Sequence, residues 1–171
     1  MRASTLLQSL IIAAAVGTAA TAGAATTLSK GDQTIIIGMA QANMAEVAAG
    51  KMALEKSSNA DVKKFAQTMI DDHSKALDSV TEVAKAKDIT LPTEPDAAHK
   101  AMAARLQKLS GDAFDKAYMK EAGVADHSKV HAKLKKDETA AKDPDVKALA
   151  TKMLPTVDAH LQTAKAAPLA K

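Results

Sequence analysis

The 171-residue chain has no cysteine and no tryptophan, and its aromatic rings stop at two Phe and one Tyr. Without cysteine there can be no disulfide staple, thiolate metal site, C-x-x-C-H haem attachment, thiol nucleophile or lipoprotein anchor. So few aromatic rings leave no platform on which bases could stack. Charge of one sign is lacking too: 23 Lys and Arg stand against 20 Asp and Glu. The lysines alternate with acids along the chain, which is the pattern of a solvated face and excludes a nucleic-acid footprint. No G-x-S-x-G, P-loop or dinucleotide fingerprint occurs, so nothing in the sequence demands catalysis.

The N-terminus reads as a leader. Met1 and Arg2 precede the apolar "STLLQSLIIAAAVGTAA" and the small-residue stretch "TAGAATT", which is the order of a secretory signal peptide. Cleavage is expected after Ala22 or Ala24, so residues 1–24 form the signal. The apolar run is broken at Gln8 and Ser9 and falls short of the roughly 20 residues a membrane span needs. The mature protein is therefore expected to be soluble, without an integral span, and periplasmic or secreted. About 147 residues then remain, enough to bury roughly two-thirds of their unfolded surface without covalent staples.

What is abundant is Ala, Lys, Leu, Met, Asp and Glu, with the seven Gly and five Pro at separable places, and this composition points to an all-α fold. A first helix is expected from about Gln33 to Lys56, with Ile36, Met39, Asn43, Glu46, Gly50 and Ala53 on one face at 3-4 spacing. "SSNAD" supplies caps for a second helix, about Asp61 to Lys87, whose inner stripe is Val62, Phe65, Met69, Ala76, Val80 and Val83. Asp72 and His73 fall at the middle of that stripe. The Pro-punctuated "DITLPTEPD" leads to a short helix, about Ala97 to Leu109. After Gly111, Asp112 is expected to cap a helix carrying Phe114, Ala117, Glu121, Val124, His127, His131 and Leu134 inward. Pro144 suits the first turn of the last helix, whose stripe is Val146, Leu149, Met153, Val157, His160 and Ala164. Pro155, inside that stripe, is expected to kink it.

"NADVKKFAQTM" at 59–69 is echoed by "DPDVKALATKM" at 143–153, so the chain reads as two related helical hairpins. Two hairpins joined by a long crossover are the plan of a ferritin-like four-helix bundle, here spanning residues 33–167 with an extra short helix in the crossover.

Polar residues on the inner faces are the functional signal. Glu46, His73, His127 and His160, one from each long helix, are candidate metal ligands, with Asn43, Asp72 and His131 as orienting partners. Their oxygens and nitrogens suit Cu, Zn or Fe as a divalent metal. His127 and His131 are also spaced i, i+4, as a two-imidazole clamp requires. A di-metal oxidase of the ferritin type wants E-x-x-H pairs, and none is present: Ile70, Val124 and Val157 stand three residues before His73, His127 and His160. The competing reading is a structural or interaction protein whose inner polar groups form only a buried hydrogen-bond network. Gly50 is expected to let a neighbouring helix approach closely, and the methionines to fill the core.

Three segments, "ANMAEVAAGKMALEKSSNADVKKFAQTMIDDHSKAL", "LSGDAFDKAYMKEAGVADHSKVHAKL" and "DVKALATKMLPTVDAHLQTA", resemble the bacterial family known as domain of unknown function 4142. The resemblance implies an exported, ferritin-like helical protein of undefined activity, in a family often labelled outer-membrane or periplasmic. The strands of a membrane barrel are not visible in the sequence. Asn43, Glu46, Asp72, His73, His127 and His160 match the family's recurring polar positions, and Phe114, Asp115 and Tyr118 its "FDxxY" turn, whereas His99 and His131 fit that pattern less well. The functional expectation is a metal ion or small ligand held by the inner cluster, with a role in envelope stress.

Overall fold

The computed structural model describes residues 28–168. The expected signal peptide lies outside these residues. Among them there is no strand, and the helices are α1 (Lys30–Lys56), α2 (Ala60–Ala86), α3 (Ala97–Gln107), α4 (Gly111–Tyr118), α5 (His127–Ala140) and α6 (Pro144–Ala166). A π-helical segment, Met119–Asp126, joins α4 to α5, and the helical backbone runs through both junctions. Five separate rods result, and none is long and apolar enough to cross a membrane.

Side-chain caps set most of the starts. Ser29, Asn59, Asp96 and Asp143 each accept from backbone N–H groups of the first turn they precede, satisfying donors that the helix itself leaves orphaned. Asp112 is not a cap, contrary to expectation. The helix already begins at Gly111, whose φ of +54° supplies the turn, and Asp112 sits within the first turn, where its charge favours the helix dipole. At the far end of α2, Asp88 adopts φ +55° and the Ile89 N–H donates to the Ala84 carbonyl at 2.8 Å. This is a Schellman closure with Asp in the place glycine usually takes. α6 continues through Pro155 without ending.

α1 lies along α2, and α5 along α6, as two hairpins. Gly50 makes the first contact close. A Cβ there would stand 2.8 Å from the Ile70 side chain and 2.9 Å from the Ala66 carbonyl, closer than real atoms come. The hairpins are tied at one end by Asp32, which accepts from the Lys142 backbone N–H at 2.9 Å, and by Lys87, 2.8 Å from Asp143 and 2.7 Å from Asp145. At the other end Lys56 Nζ donates to the Gln107 carbonyl at 3.0 Å. The segment between α2 and α4, with α3 inside it, thus travels the length of the molecule.

The core is split in two. One apolar cluster holds Ile36, Met39, Val80, Leu134, Val146 and Met153. The other holds Ala53, Phe65, Met69, Leu106, Phe114 and Tyr118. On all four long elements the polar candidates fall between them. Asn43 and Glu46 separate Ala40 from Ala49, and His73 separates Met69 from Val80. His127 separates Ala122 from Leu134, and His160 separates Val157 from Ala164. A polar layer therefore crosses the middle of the fold, where buried groups are costly unless they are paired.

Candidate metal centre

Local helix geometry brings the layer together. Every residue of the expected α1 and α6 stripes is buried, so Asn43, Glu46 and His160 arrive by simple 3-4 spacing. His127 arrives differently. The inner face runs Phe114 and Tyr118 on α4 and Ala122 in the π segment, whose wider turn inserts extra chain before His127 and Leu134 resume it. Gly123 is at the closest point of this segment, since a Cβ there would meet the Ala164 Cβ at 3.1 Å and the Phe65 ring at 3.6 Å.

Three imidazoles converge. His73, His127 and His160 are all buried, and each offers one nitrogen such that all three lie within 4.8 Å of one another. Their ring centroids are 5.3 to 5.5 Å apart. Each ring is held from behind by an acceptor. His73 Nδ1–H donates to Asn43 Oδ1 at 2.8 Å, and Asn43 is itself oriented because its Nδ2 donates to the Met39 carbonyl at 2.8 Å. His127 Nδ1–H donates to the Ala122 carbonyl at 2.9 Å, and His160 Nε2–H to Asp72 Oδ2 at 3.1 Å.

These partners decide the tautomers. With Nδ1 protonated, His73 and His127 each carry a lone pair on Nε2, and those two Nε2 atoms face each other at 3.4 Å. Neither neutral ring has a proton to place between them. On His160 the nitrogen left with a lone pair is Nδ1, and it is buried without any hydrogen-bond partner. Protonation does not relieve the conflict. Burial, followed by the neighbouring rings, lowers the His73 pKa to about 3. Burial likewise lowers that of His127, against the Ala122 bond, and that of His160, against Asp72. Two lone pairs thus face each other with no donor between them, and the third ring of the group keeps a buried acceptor nitrogen without a partner. Two imidazole nitrogens on one tetrahedral ion at the usual 2.0–2.1 Å would stand about 3.3 Å apart, close to the 3.4 Å between the two Nε2 atoms.

The other sequence candidates fall in different places. Glu46 is buried, with Oε1 3.5 Å from His127 Nδ1, the side of the ring already engaged with Ala122. Both its oxygens lack a hydrogen-bond partner, and burial, reinforced by Asp126, raises its pKa well above the ordinary value. It stands behind the triad, outside the three-nitrogen group. His131 is half-buried with Nε2 3.7 Å from Asp158, so the i, i+4 pair with His127 forms no clamp. Glu121, expected on the inner face, pairs with Arg105 at 2.8 Å near the surface instead, because the π segment rotates the inner stripe away from it. The sequence reading also missed a second polar chain. His99 bonds Asp96 through Nδ1 at 2.8 Å and Asp126 through Nε2 at 3.3 Å. The acids flanking His99 in space are 3 and 27 residues away, so only the nearer one leaves a sequence signal.

Residues 17–167 match the family described as domain of unknown function (DUF4142). The chain belongs to that family. No curated protein matches it. Among solved structures, this DUF4142 chain is similar to CopM in the Cu(II)-bound form, with a TM-score of 0.64 and 18% identity, over 78% of this chain and 93% of that one. At that identity the likeness speaks to the helical fold.

Proposed function

We propose that the protein binds one transition-metal ion through His73, His127 and His160, and that copper is its first candidate. The observation that carries this reading is the pair of unprotonated Nε2 atoms facing each other at 3.4 Å, in a group of three buried imidazoles that each offer a nitrogen within 4.8 Å of the others. A cation supplies what no donor in the protein supplies there. Three neutral imidazoles suit Cu or Zn, and a three-ligand set leaves a coordination position for an exogenous group. Asn43, Ala122 and Asp72 fix the ring orientations, as the outer partners of metal-bound histidines commonly do. That CopM was solved in its Cu(II)-bound form makes copper the ion to test before Zn and Fe. The chain is further read as an exported bundle domain at 33–167 behind a cleaved leader at 1–24, acting in the cell envelope under stress.

Elemental analysis of protein recovered from the periplasm, with thermal melts in added Cu(II), Zn(II) or Fe(II), tests the proposal. One ion per chain is expected. At a free ion concentration about 100 times Kd, the stabilisation is about 2.7 kcal/mol, or on the order of 5–10 °C in Tm. If no metal is retained and none of the three ions moves Tm, the polar layer is a hydrogen-bond network only, and the protein is a structural or interaction module.

A further inference from the structure

The seam between α2 and α6 is where the two hairpins part, and it holds two grooves. One, of about 270 Å³, is bordered by Asp72, His73, Ser79 and Met153. The other, of about 590 Å³, is bordered by Phe65, Met69 and His160 toward the opposite end of the same seam. The hydrogen bond from His160 to Asp72 crosses the seam between them. The second groove reaches the triad at His160 and the first at His73. Asn43, His73 and Met153 line both the first groove and a void of about 10 Å³ that reaches His127 and Glu46. The second groove shares no lining residue with that void.

Asp72 stands at this junction. Its side chain is 36% exposed while that of His160 is 6% exposed, so it is the acid that both meets solvent and touches the triad. Its Oδ2 accepts from His160 Nε2–H, and its Oδ1 lies 3.7 Å from Lys75 Nζ. We infer that Asp72, the one carboxylate lining the first α2–α6 groove, is the loading residue of the triad: it draws a metal cation in and passes it to His73, with Lys75 and Lys152, which line the same groove, opposing that capture. The inference rests on the triad being a metal site. It gives Asp72 two separable tasks, a negative charge that speeds association and an acceptor that orients His160. Asn at this position keeps the acceptor and loses the charge.

The test is stopped-flow mixing of the protein with Cu(II) chloride, followed by quenching of its single tyrosine, Tyr118, at several salt concentrations. Association with the wild type is expected to slow as salt rises. Asp72→Asn is expected to load about tenfold more slowly at low salt with a flatter salt dependence, and Asp72→Glu, which keeps the charge, to load at close to the wild-type rate. Lys75→Gln is expected to load faster than wild type. Loading of Asp72→Asn at the wild-type rate with the wild-type salt dependence overturns the inference, and so does a loss of affinity that lies entirely in faster release. A wild type that takes up no Cu(II), Zn(II) or Fe(II) overturns the triad reading as well. A wild type that binds while Asp72→Asn loads normally overturns the loading role alone.

Discussion

The molecule holds its histidines in two opposite environments. In the central layer, His73, His127 and His160 back onto an amide oxygen, a carbonyl and one half-exposed carboxylate, and burial depresses all three. At the α3 side, His99 lies between Asp96 and Asp126, and the Asp126 hydrogen bond leads the effects that raise its pKa. The ring is the same in both places, and only its surroundings differ. Two close carboxylates favour the protonated imidazole, which offers a metal no lone pair. Burial, with a single backing acceptor on each ring, favours the neutral lone-pair donor.

The largest effect that can break this comparison is on metal uptake. His73→Gln can still hydrogen-bond Asn43 but removes the nitrogen that faces His127 at 3.4 Å. Copper affinity is expected to fall by on the order of a hundredfold or more by calorimetric titration, while His99→Gln leaves it unchanged. Equal losses in the two variants would dissolve the distinction between the sites.

A smaller effect is expected one layer out. Asn43→Leu keeps the branched shape but cannot accept from His73 Nδ1, so the proton is free to move to Nε2 and block the lone pair. Affinity is expected to fall roughly 10- to 100-fold, with far-UV circular dichroism unchanged. Retention of wild-type affinity would mean that Asn43 serves only packing.

How much of this was legible follows from helix period. In α1 and α6 the 3-4 stripes read directly onto buried faces, so Asn43, Glu46 and His160 could be placed in the interior from sequence. Between Gly111 and Ala140 the same rule put Glu121 inward, and it pairs with Arg105 instead. A π segment changes the period, and nothing in the residue types of "MKEAGVAD" announces that change except a mid-helix Gly123 whose missing Cβ makes room for Ala164 and Phe65. His127 was still found because the extra π residues return the stripe to it. Glu46 was legible as buried, but not as standing behind His127, since the side of a ring that a carboxylate meets depends on rotamers and helix rotation that spacing does not encode.

The two environments also predict opposite responses of the metal-free protein to pH. The triad rings have folded pKa values below 6.5, so below that pH the unfolded chain binds protons the folded one refuses. Their contribution to stability is complete above 6.5 and is lost as pH falls from there toward the His73 value of about 3. His99 works the other way. Its folded pKa is raised, so its contribution is complete below 6.5 and is lost as pH rises through the folded value. Chemical denaturation from pH 4 to pH 8 should therefore show wild-type stability falling on the acid side. The triple variant with Gln at 73, 127 and 160 should lose less there, and added Cu(II) should raise the stability of the wild type but not of the triple variant. An acid-side loss identical in the wild type and the triple variant would assign that loss to other groups.

The smallest effect bears first on the second environment, although the Asp126 charge also acts on His73 and His127. Asp126→Asn removes one of the two charges on His99 and keeps a polar side chain of nearly the same size. NMR titration of the His99 ring should show its pKa falling back toward the ordinary 6.5, while Asp96 still holds Nδ1 at 2.8 Å. Because the His99 pair is part-buried, the stability change is expected to be modest, on the order of 1 kcal/mol, and confined to pH values at which the wild-type ring is charged. Asp126 also faces Glu46, whose pKa it helps to raise. The same variant should therefore lower the Glu46 value without altering copper affinity more than a fewfold. A large loss of affinity would join the two environments into one functional unit, with Asp126 as the link between them.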